Sequence, residues 1–262
     1  MTTWGWIAAG YGACMAAIAL AGGARRRAIP AVAALAFAGV SAAVSTFHAL
    51  AAQVWVPGAV APAGYWLSGL FIGPPQPWLE ARLLESDRRL FEQLRINAWL
   101  QAVPSWVLEG LEFCYSTVYL VVMAGALAVA LVDRDAVPSY WAVVLAAEFI
   151  CYLALPFLRS RPPRSLEPAG VIASRSLRMR RLNDAIVGGG SIQVNTIPSG
   201  HVAGALAAGL AVWPWSPGVG AILIVTAALI AVAATAGRYH YALDCLLGAG
   251  VAIAVWLVIG LP

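Results

Sequence analysis

The chain has 262 residues, of which 61% are hydrophobic and only 11% are charged, and its mean hydropathy is +0.81. Soluble domains carry about 25% charged residues, so this composition excludes a soluble globular protein. The net charge of +4 comes from 16 basic residues, all of them arginine, against 12 acidic ones. The four cysteines show no CxxC or metal-ligand spacing, which indicates neither a disulfide framework nor a zinc site.

Seven apolar runs follow one another along the chain, most of them close to the ~20 residues that cross about 30 Å of hydrocarbon. We therefore predict an all-α, polytopic membrane helix bundle of seven spans. The first run has no basic residue before it and three arginines after it, the reverse of a secretory signal, and is expected to be a retained helix. The predicted spans are residues 4–21, 29–52, 111–132, 138–158, 198–213, 219–236 and 240–259.

A long polar segment separates the second and third runs and divides the chain into three parts. Residues 1–52 are expected to form an N-terminal transmembrane hairpin, residues 53–110 an interfacial segment, and residues 111–262 a catalytic core. Residues 79–99 place leucine and aromatic residues at helical spacing among arginine and glutamate, which predicts an amphipathic helix. Such a helix either lies in the membrane interface or caps the bundle from the solvent side.

The loops between seven spans alternate between the two sides of the membrane. One side receives the N-terminus, the segment 53–110, the Arg-rich loop 159–197 and the short turn 237–239. The polar motifs that follow are therefore expected to share one face.

Two of the three histidines open apolar spans on that face. His201 follows the sequence Pro-Ser-Gly (residues 198–200) at a predicted helix start, where free backbone N–H groups and the helix dipole attract an anion such as phosphate. His240 precedes Asp244 by four residues, so on a helix the carboxylate lies beside the imidazole. An ionised Asp can accept the N–H of one ring nitrogen, which leaves the other nitrogen free as a nucleophile or base.

Arginine is the third component of the pattern. Arg159, Arg161 and Arg164 follow the fourth span, and Arg238 precedes His240 by two residues. A guanidinium group can bind phosphate oxygens bidentately and neutralise the charge that develops in phosphoryl transfer. Each motif alone is common, since arginines beside a span are an ordinary topology signal. Their order and shared face nevertheless favour phosphoryl transfer through a covalent phosphohistidine.

In this order and spacing, the Arg161-Pro pair, the Pro-Ser-Gly-His sequence and the His240-to-Asp244 motif resemble the three signature blocks of the type 2 phosphatidic acid phosphatase (PAP2) superfamily. The resemblance covers residues 145–254. It implies a PAP2-like catalytic core in which His240 attacks phosphorus, Asp244 orients it and His201 protonates the leaving oxygen. It also implies a set that holds the phosphoryl oxygens: Arg161, Arg238, Ser199 and the Gly200 amide, with Arg159 and Arg164 as alternatives to Arg161.

Two blocks depart from the usual superfamily pattern. The position seven before Arg161, usually Lys, is Ala154, and the position six before His240, usually within a Ser-Arg pair, is Ala234. The divergent blocks look more like the inositol phosphorylceramide synthase and sphingomyelin synthase branch, whose members transfer a phosphorylated headgroup to a lipid acceptor.

The expected function is an integral membrane lipid phosphatase or phosphotransferase that acts on a lipid phosphate or phosphodiester. Its second acceptor is water, or else an alcohol or polyol. No cofactor and no nucleic acid are expected, and the lack of a carboxylate cluster argues against a metal-dependent mechanism. A non-catalytic lipid-phosphate binding or transport protein is the alternative from a different class. The oligomeric state is left open.

Two further features carry expectations. Glu148 lies near the middle of the fourth span and is expected either to stay protonated and bond a neighbouring helix, or to pair with an Arg or His of the site. Arg25, Arg26 and Arg27 after the first span indicate a cytoplasmic loop, which puts the catalytic face on the extracytoplasmic side of the cell membrane. The larger number of arginines on the catalytic face indicates the opposite orientation.

Overall fold

The computed structural model of the protein describes residues 1–21, 28–167, 172 and 174–260. All regular structure in these residues is helical, as the composition predicts. The α-helices are α1 (Thr3–Ala21), α2 (Ala28–Val44), α3 (Leu50–Gly69), α4 (Pro77–Gln93), α5 (Ile96–Ala102), α6 (Ser105–Ser116), α7 (Val118–Val132), α8 (Val137–Ala154), α9 (Pro163–Leu166), α10 (Arg178–Gly190), α11 (Gly200–Val212), α12 (Pro217–Ala236) and α13 (Ala242–Ile259).

Fewer helices pass a test of length and apolar composition for crossing a membrane than the seven spans that the sequence predicts. Within the described ranges, α1, α8 with its preceding turn, α12 and α13 are long and apolar enough to cross a membrane. Helices α6 and α7 make a fifth span if they are counted together, although they are bent by 56°. Helices α2 and α11 are apolar but have only 17 and 13 residues. A bundle of apolar helices is therefore confirmed, whereas seven spans are not.

Helix α3 covers the start of the predicted interfacial segment 53–110, where the sequence predicts no helix before residue 79. Residues 53–69 belong to this helix, which packs against α7 and α8. Pro57 and Pro62 lie within it. Such prolines are tolerated in membrane helices because neighbouring helices cover the freed backbone groups. The Tyr11 hydroxyl donates to the Gly64 carbonyl across 2.7 Å and fixes α3 against α1.

Two inner helices, α8 and α11, hold the bundle together. Helix α8 packs against α1, α3, α11 and α13, and α11 packs against α7, α8, α12 and α13. Small residues allow these close approaches. A Cβ on Gly209 would lie 2.8 Å from the Ile224 backbone of α12, and one on Gly248 of α13 would overlap the Ser199 carbonyl. The packing places the first turn of α11 against α13.

The predicted amphipathic helix is present as α4, which ends at Gln93 rather than continuing to residue 99. Arg95 adopts a left-handed conformation with φ of 52°, and α5 begins after it. The buried face of α4 carries Leu79, Leu83 and Phe91 together with two carboxylates, Glu80 and Asp87. This face meets α13, so charged groups enter the bundle next to the histidine motifs.

Candidate active site

The two histidine motifs meet at one end of the bundle. His201 is the second residue of α11, and His240 lies two residues before α13. The centroids of the two imidazole rings are 5.6 Å apart and the rings are inclined by 58°. Both side chains line one cavity of about 350 Å³. The rings are thus close enough to contact one small anion.

The ring of His240 is held through Nδ1. This atom lies 2.9 Å from the Thr196 carbonyl oxygen and 3.5 Å from Oδ2 of Asp244. A carbonyl oxygen can only accept a hydrogen bond, so Nδ1 carries the proton and donates it to Thr196. Nε2 is then the nitrogen with a free lone pair, the state that a nucleophile requires.

Asp244 connects the two motifs. Its Oδ2 accepts from the Tyr241 backbone N–H at 3.0 Å and so caps the first turn of α13. Its carbonyl oxygen accepts from the Ser199 N–H, also at 3.0 Å. The carboxylate therefore lies beside the His240 ring, and its backbone fixes the residue that begins α11.

Ser199 and Gly200 shape the start of α11. The Ser199 hydroxyl is buried and accepts from the Val202 N–H at 3.4 Å, which makes Ser199 the N-cap of the helix. Gly200 lines the cavity, and a Cβ there would lie 2.7 Å from the Tyr152 ring. The backbone N–H groups of Gly200 and His201 belong to the first turn, where no intrahelical acceptor is available.

Arg164 is the predicted phosphate-binding arginine that the structure places on this cavity. Its guanidinium carbon lies 4.9 Å from the centre of the Tyr239 ring. Its Nη1 is 3.4 Å from Oδ1 of Asp184, a long contact with a half-exposed carboxylate. Its backbone N–H donates to the Arg238 carbonyl at 3.0 Å. Arg164 therefore keeps most of its hydrogen-bonding capacity for a ligand.

Arg161 is bound by α4 instead. Its backbone N–H, Nε and Nη2 each donate to the Glu80 carboxylate at 2.9 Å. The hydrogen bonds from Arg161 hold the pKa of Glu80 below its usual value. The Arg161 carbonyl accepts from the Tyr241 hydroxyl at 3.0 Å. Arg161 does not line the cavity and supports the His240 turn from outside.

Arg238 is bound in the same way. Its Nη2 lies 2.6 Å from Glu167, and its Nη1 lies 3.5 Å from Oδ2 of Asp87. The other oxygen of Asp87 accepts from the Ala242 N–H at 2.9 Å. Burial raises the pKa of Asp87 to about 6. Arg238 adopts φ of 63°, an uncommon conformation for a residue with a side chain. Asp87 thus contacts residues on both sides of His240.

An aromatic wall completes the cavity. The Tyr115 ring stacks on Tyr239 with centroids 4.0 Å apart and on His201 at 5.4 Å. The edge of Tyr119 meets His201 at 6.0 Å. The Tyr239 hydroxyl donates to Glu112 at 2.6 Å, and this buried carboxylate also pairs with Arg180. These contacts fix the orientation of the His201 ring.

Glu148 lies on the same cavity, one turn of α8 before Tyr152. Its side chain is buried, and its Oε2 has no hydrogen-bond partner among the described residues. Neither of the two partners expected for it, a neighbouring helix or an arginine or histidine of the site, is hydrogen-bonded to that atom.

The family of the chain follows from comparison with family models. The model described as PAP2 superfamily matches residues 81–258, more than half of the chain. The chain belongs to the PAP2 superfamily. No curated protein and no solved structure matches it. The finer resemblance to the inositol phosphorylceramide synthase branch is not confirmed.

The PAP2 match is longer than the resemblance in the sequence, which covers residues 145–254. It begins within α4 and ends within α13, so it includes Asp87 as well as the three motifs. Sequence reasoning missed the part that α4, Thr196 and the stacked tyrosines play around the histidines. The aromatic-rich stretch 113–119 was the one available signal for the tyrosines.

Proposed function

We propose that this PAP2 protein transfers a phosphoryl group, or a phosphorylated headgroup, from a membrane lipid through a covalent intermediate on His240 and without a metal ion. Members of the superfamily are generally phosphatases or phosphotransferases, and the apolar helices are those of a multi-pass membrane protein. The observation that carries the proposal is the pair of imidazoles 5.6 Å apart on one cavity, with Nδ1 of His240 bound to a carbonyl.

In the first step, Nε2 of His240 attacks phosphorus and forms an N–P bond while the P–O bond to the leaving group breaks. Burial and the neighbouring His240 lower the pKa of His201 to about 3, so His201 takes up its proton together with the anionic phosphate and gives it to the leaving oxygen. Arg164 and the N–H groups at the start of α11 offset the negative charge on the phosphoryl oxygens.

In the second step, neutral His201 takes a proton from water or from an alcohol, whose oxygen attacks phosphorus. The N–P bond breaks, and His240 returns to its starting state. Water gives a lipid phosphatase, whereas a hydroxylated lipid or polyol gives a headgroup transferase of the inositol phosphorylceramide synthase type.

The apolar part of the cavity supports a lipid substrate. Beyond the histidines the cavity is lined by side chains of α3 and α7, including Ala61, Val118, Val122 and Met123. A phosphate at the histidines would leave its hydrocarbon chain among these residues.

Trapping of the intermediate tests the proposal. The full-length protein is mixed with a ³²P-labelled lipid phosphate, denatured rapidly and assayed for label that is stable in base and lost in acid, as expected of a phosphohistidine. We expect the wild type to carry the label and His240→Ala to carry none. The variant should still bind the lipid. Equal turnover by His240→Ala contradicts the nucleophile. Binding without turnover in the wild type favours the non-catalytic alternative.

The acceptor is determined by a second assay. A substrate labelled in its phosphate is supplied with and without candidate alcohols. Label in inorganic phosphate identifies a phosphatase, and label in a new lipid identifies a transferase.

A further inference from the structure

The cavity has two levels along its enclosing helices. The first holds the histidines, where Tyr119 of α7 meets His201 and Tyr152 of α8 packs against Gly200. The second lies one helical turn, about 5.4 Å, further along α7, α8 and α11. Its lining includes Met123, Gly58 and Glu148. A chain attached to a phosphate at the first level would pass the second.

The carboxyl group of Glu148 is the polar element of the second level. This carboxyl group lies against Gly204 of α11. A Cβ atom at Gly204 would overlap Oε1 of Glu148 and would lie 3.1 Å from the Cγ and Cδ atoms of Glu148. Glycine at this position thus makes room for the carboxyl group next to α11. Glu148 is 8% exposed, and the residues around it on the cavity wall are mostly apolar.

One oxygen of this carboxyl group has unused hydrogen-bonding capacity in the described structure. Oε2 of Glu148 is buried without a partner in the described part of the chain. Arg164, the cation on the same cavity, is near Tyr239 and Asp184 instead. Buried polar atoms are nearly always hydrogen-bonded, so an unpartnered one on a cavity wall indicates a ligand group that completes it.

We propose that Glu148 determines substrate specificity by hydrogen-bonding a hydroxyl or amide group that the lipid chain carries one helical turn from its phosphate. This inference rests on the proposed function, since that function places the phosphate at the histidines. It selects lipids with a polar group a few bonds from phosphorus over lipids whose chain begins as plain hydrocarbon.

Three simple probes test the inference. They are decyl phosphate, the same compound with a hydroxyl on its fourth carbon, and the isomer with the hydroxyl on its last carbon. Phosphate release is measured with the full-length protein in lipid nanodiscs. We expect the wild type to favour the first hydroxylated probe over decyl phosphate by on the order of tenfold in kcat/KM, as one hydrogen bond provides. The isomer should gain no such preference.

Variants at Glu148 give the decisive comparison. Glu148→Leu should reduce the preference to about one, whereas Glu148→Gln, whose amide still bonds a hydroxyl, should retain part of it. Glu85→Gln, on the exposed face of α4, is the control and should keep the full preference. An unchanged preference in Glu148→Leu overturns the inference, and so does equal activity of the wild type on all three probes.

Binding separates this inference from the proposed function. The same probes are bound to His240→Ala, which lacks the nucleophile, and to His240→Ala with Glu148→Leu. A preference that is present in the first and absent from the second supports the role of Glu148 even if no turnover is found. If neither protein distinguishes the probes, the role of Glu148 is wrong whatever the outcome for catalysis.

Discussion

The arginines on the two sides of the His240 turn differ in how many carboxylates bind them. On the cavity side, Arg164 lies over an aromatic ring and has a single long contact with a carboxylate. On the α4 side, Arg161 is bound by Glu80, and Arg238 is bound by Asp87 and Glu167. A guanidinium group that carboxylates already satisfy is suited to holding the turn, whereas one with unused donors is suited to binding phosphate. Proximity to a motif in the sequence does not distinguish the two.

After His240→Ala, the largest effect is expected on the cavity side, at His201. His201→Ala should lower kcat/KM for a lipid phosphate by about 10²–10⁴-fold, because the leaving oxygen loses its proton donor. p-Nitrophenyl phosphate, whose leaving group needs no proton, should lose much less. Parallel kinetics on both substrates measure the difference. Equal losses would contradict the role of His201 as general acid.

Arg164→Ala is expected to have the next largest effect. It should lower kcat/KM by about 10²–10³-fold, since one charged donor to the phosphoryl oxygens is removed. The matched control is Arg89→Ala, because Arg89 is exposed and pairs within α4. Activity as high as that of the control would show that the cavity-side arginine does not bind phosphate.

Arg161→Ala should act on stability more than on catalysis. Glu80 is 4% exposed and would lose its cation, so the free energy of unfolding should fall by about 1–3 kcal/mol. Glu80→Gln in the same chain should recover part of this loss. Unfolding in SDS followed by circular dichroism provides the measurement.

Arg161→Ala also tests directly whether Arg161 or Arg164 binds phosphate. If Arg161→Ala reduced kcat/KM as strongly as Arg164→Ala while stability was unchanged, Arg161 would be the phosphate ligand that the resemblance implies. Arg238→Ala is the parallel test for the second arginine on this side.

The two carboxylates of α4 should give opposite dependences of stability on pH. The pKa of Asp87 is about 6 in the folded protein, against an ordinary value of 3.8, so the folded state binds the proton more tightly. Its contribution to stability therefore falls as pH rises from about 4 to about 6, by about 2–3 kcal/mol. The lowered pKa of Glu80 gives stability that is present above its ordinary pKa of 4.5 and is lost as pH falls through the lowered value.

Asp87→Asn and Glu80→Gln measure these slopes. Asp87→Asn should remove the decrease between pH 4 and pH 6, and Glu80→Gln should remove the increase that lies below pH 4.5. The unfolding free energy of each variant is compared with that of the wild type from pH 6 down through the lowered pKa of Glu80. If both carboxylates changed the unfolding free energy in the same direction with pH, the opposite pKa shifts of Asp87 and Glu80 would be wrong.

The side of the membrane on which the candidate site lies is tested by cysteine labelling. Arg25, Arg26 and Arg27, on which the extracytoplasmic assignment rests, lie outside the described residues. In a chain whose four native cysteines are replaced, Arg26→Cys should resist an impermeant thiol reagent in intact cells and react after permeabilisation. Ready labelling in intact cells would reverse the predicted orientation.

The sequence predicted well where the histidines would lie, because His201 begins an apolar helix and His240 lies two residues before another. The start of a helix is a local property, and helices that pack side by side in the same direction bring their first turns together. His201 and His240 therefore required no knowledge of distant contacts. The all-helical bundle was predictable for the same reason, since apolar runs of spanning length are local as well.

The environment of each arginine could not be predicted in this way. Glu80 and Asp87 bind Arg161 and Arg238 across long separations in the chain, and on a helical pattern they look like part of a solvated face. Helix α3 was missed because its prolines weigh against a helix in water, although a bundle tolerates them. The unpartnered oxygen of Glu148 became visible when all helices around it were in place.

The contact between α4 and the His240 turn has a practical consequence for purifying the protein. A single carboxylate, Asp87, accepts hydrogen bonds from Arg238 and from the Ala242 N–H, so the amphipathic helix α4 holds the loop on both sides of His240, the proposed nucleophile. Harsh solubilisation that detaches this helix would release the loop while the apolar helices stayed intact. Samples extracted in this way should then be inactive yet fully helical, and helicity would be a poor criterion of quality during purification.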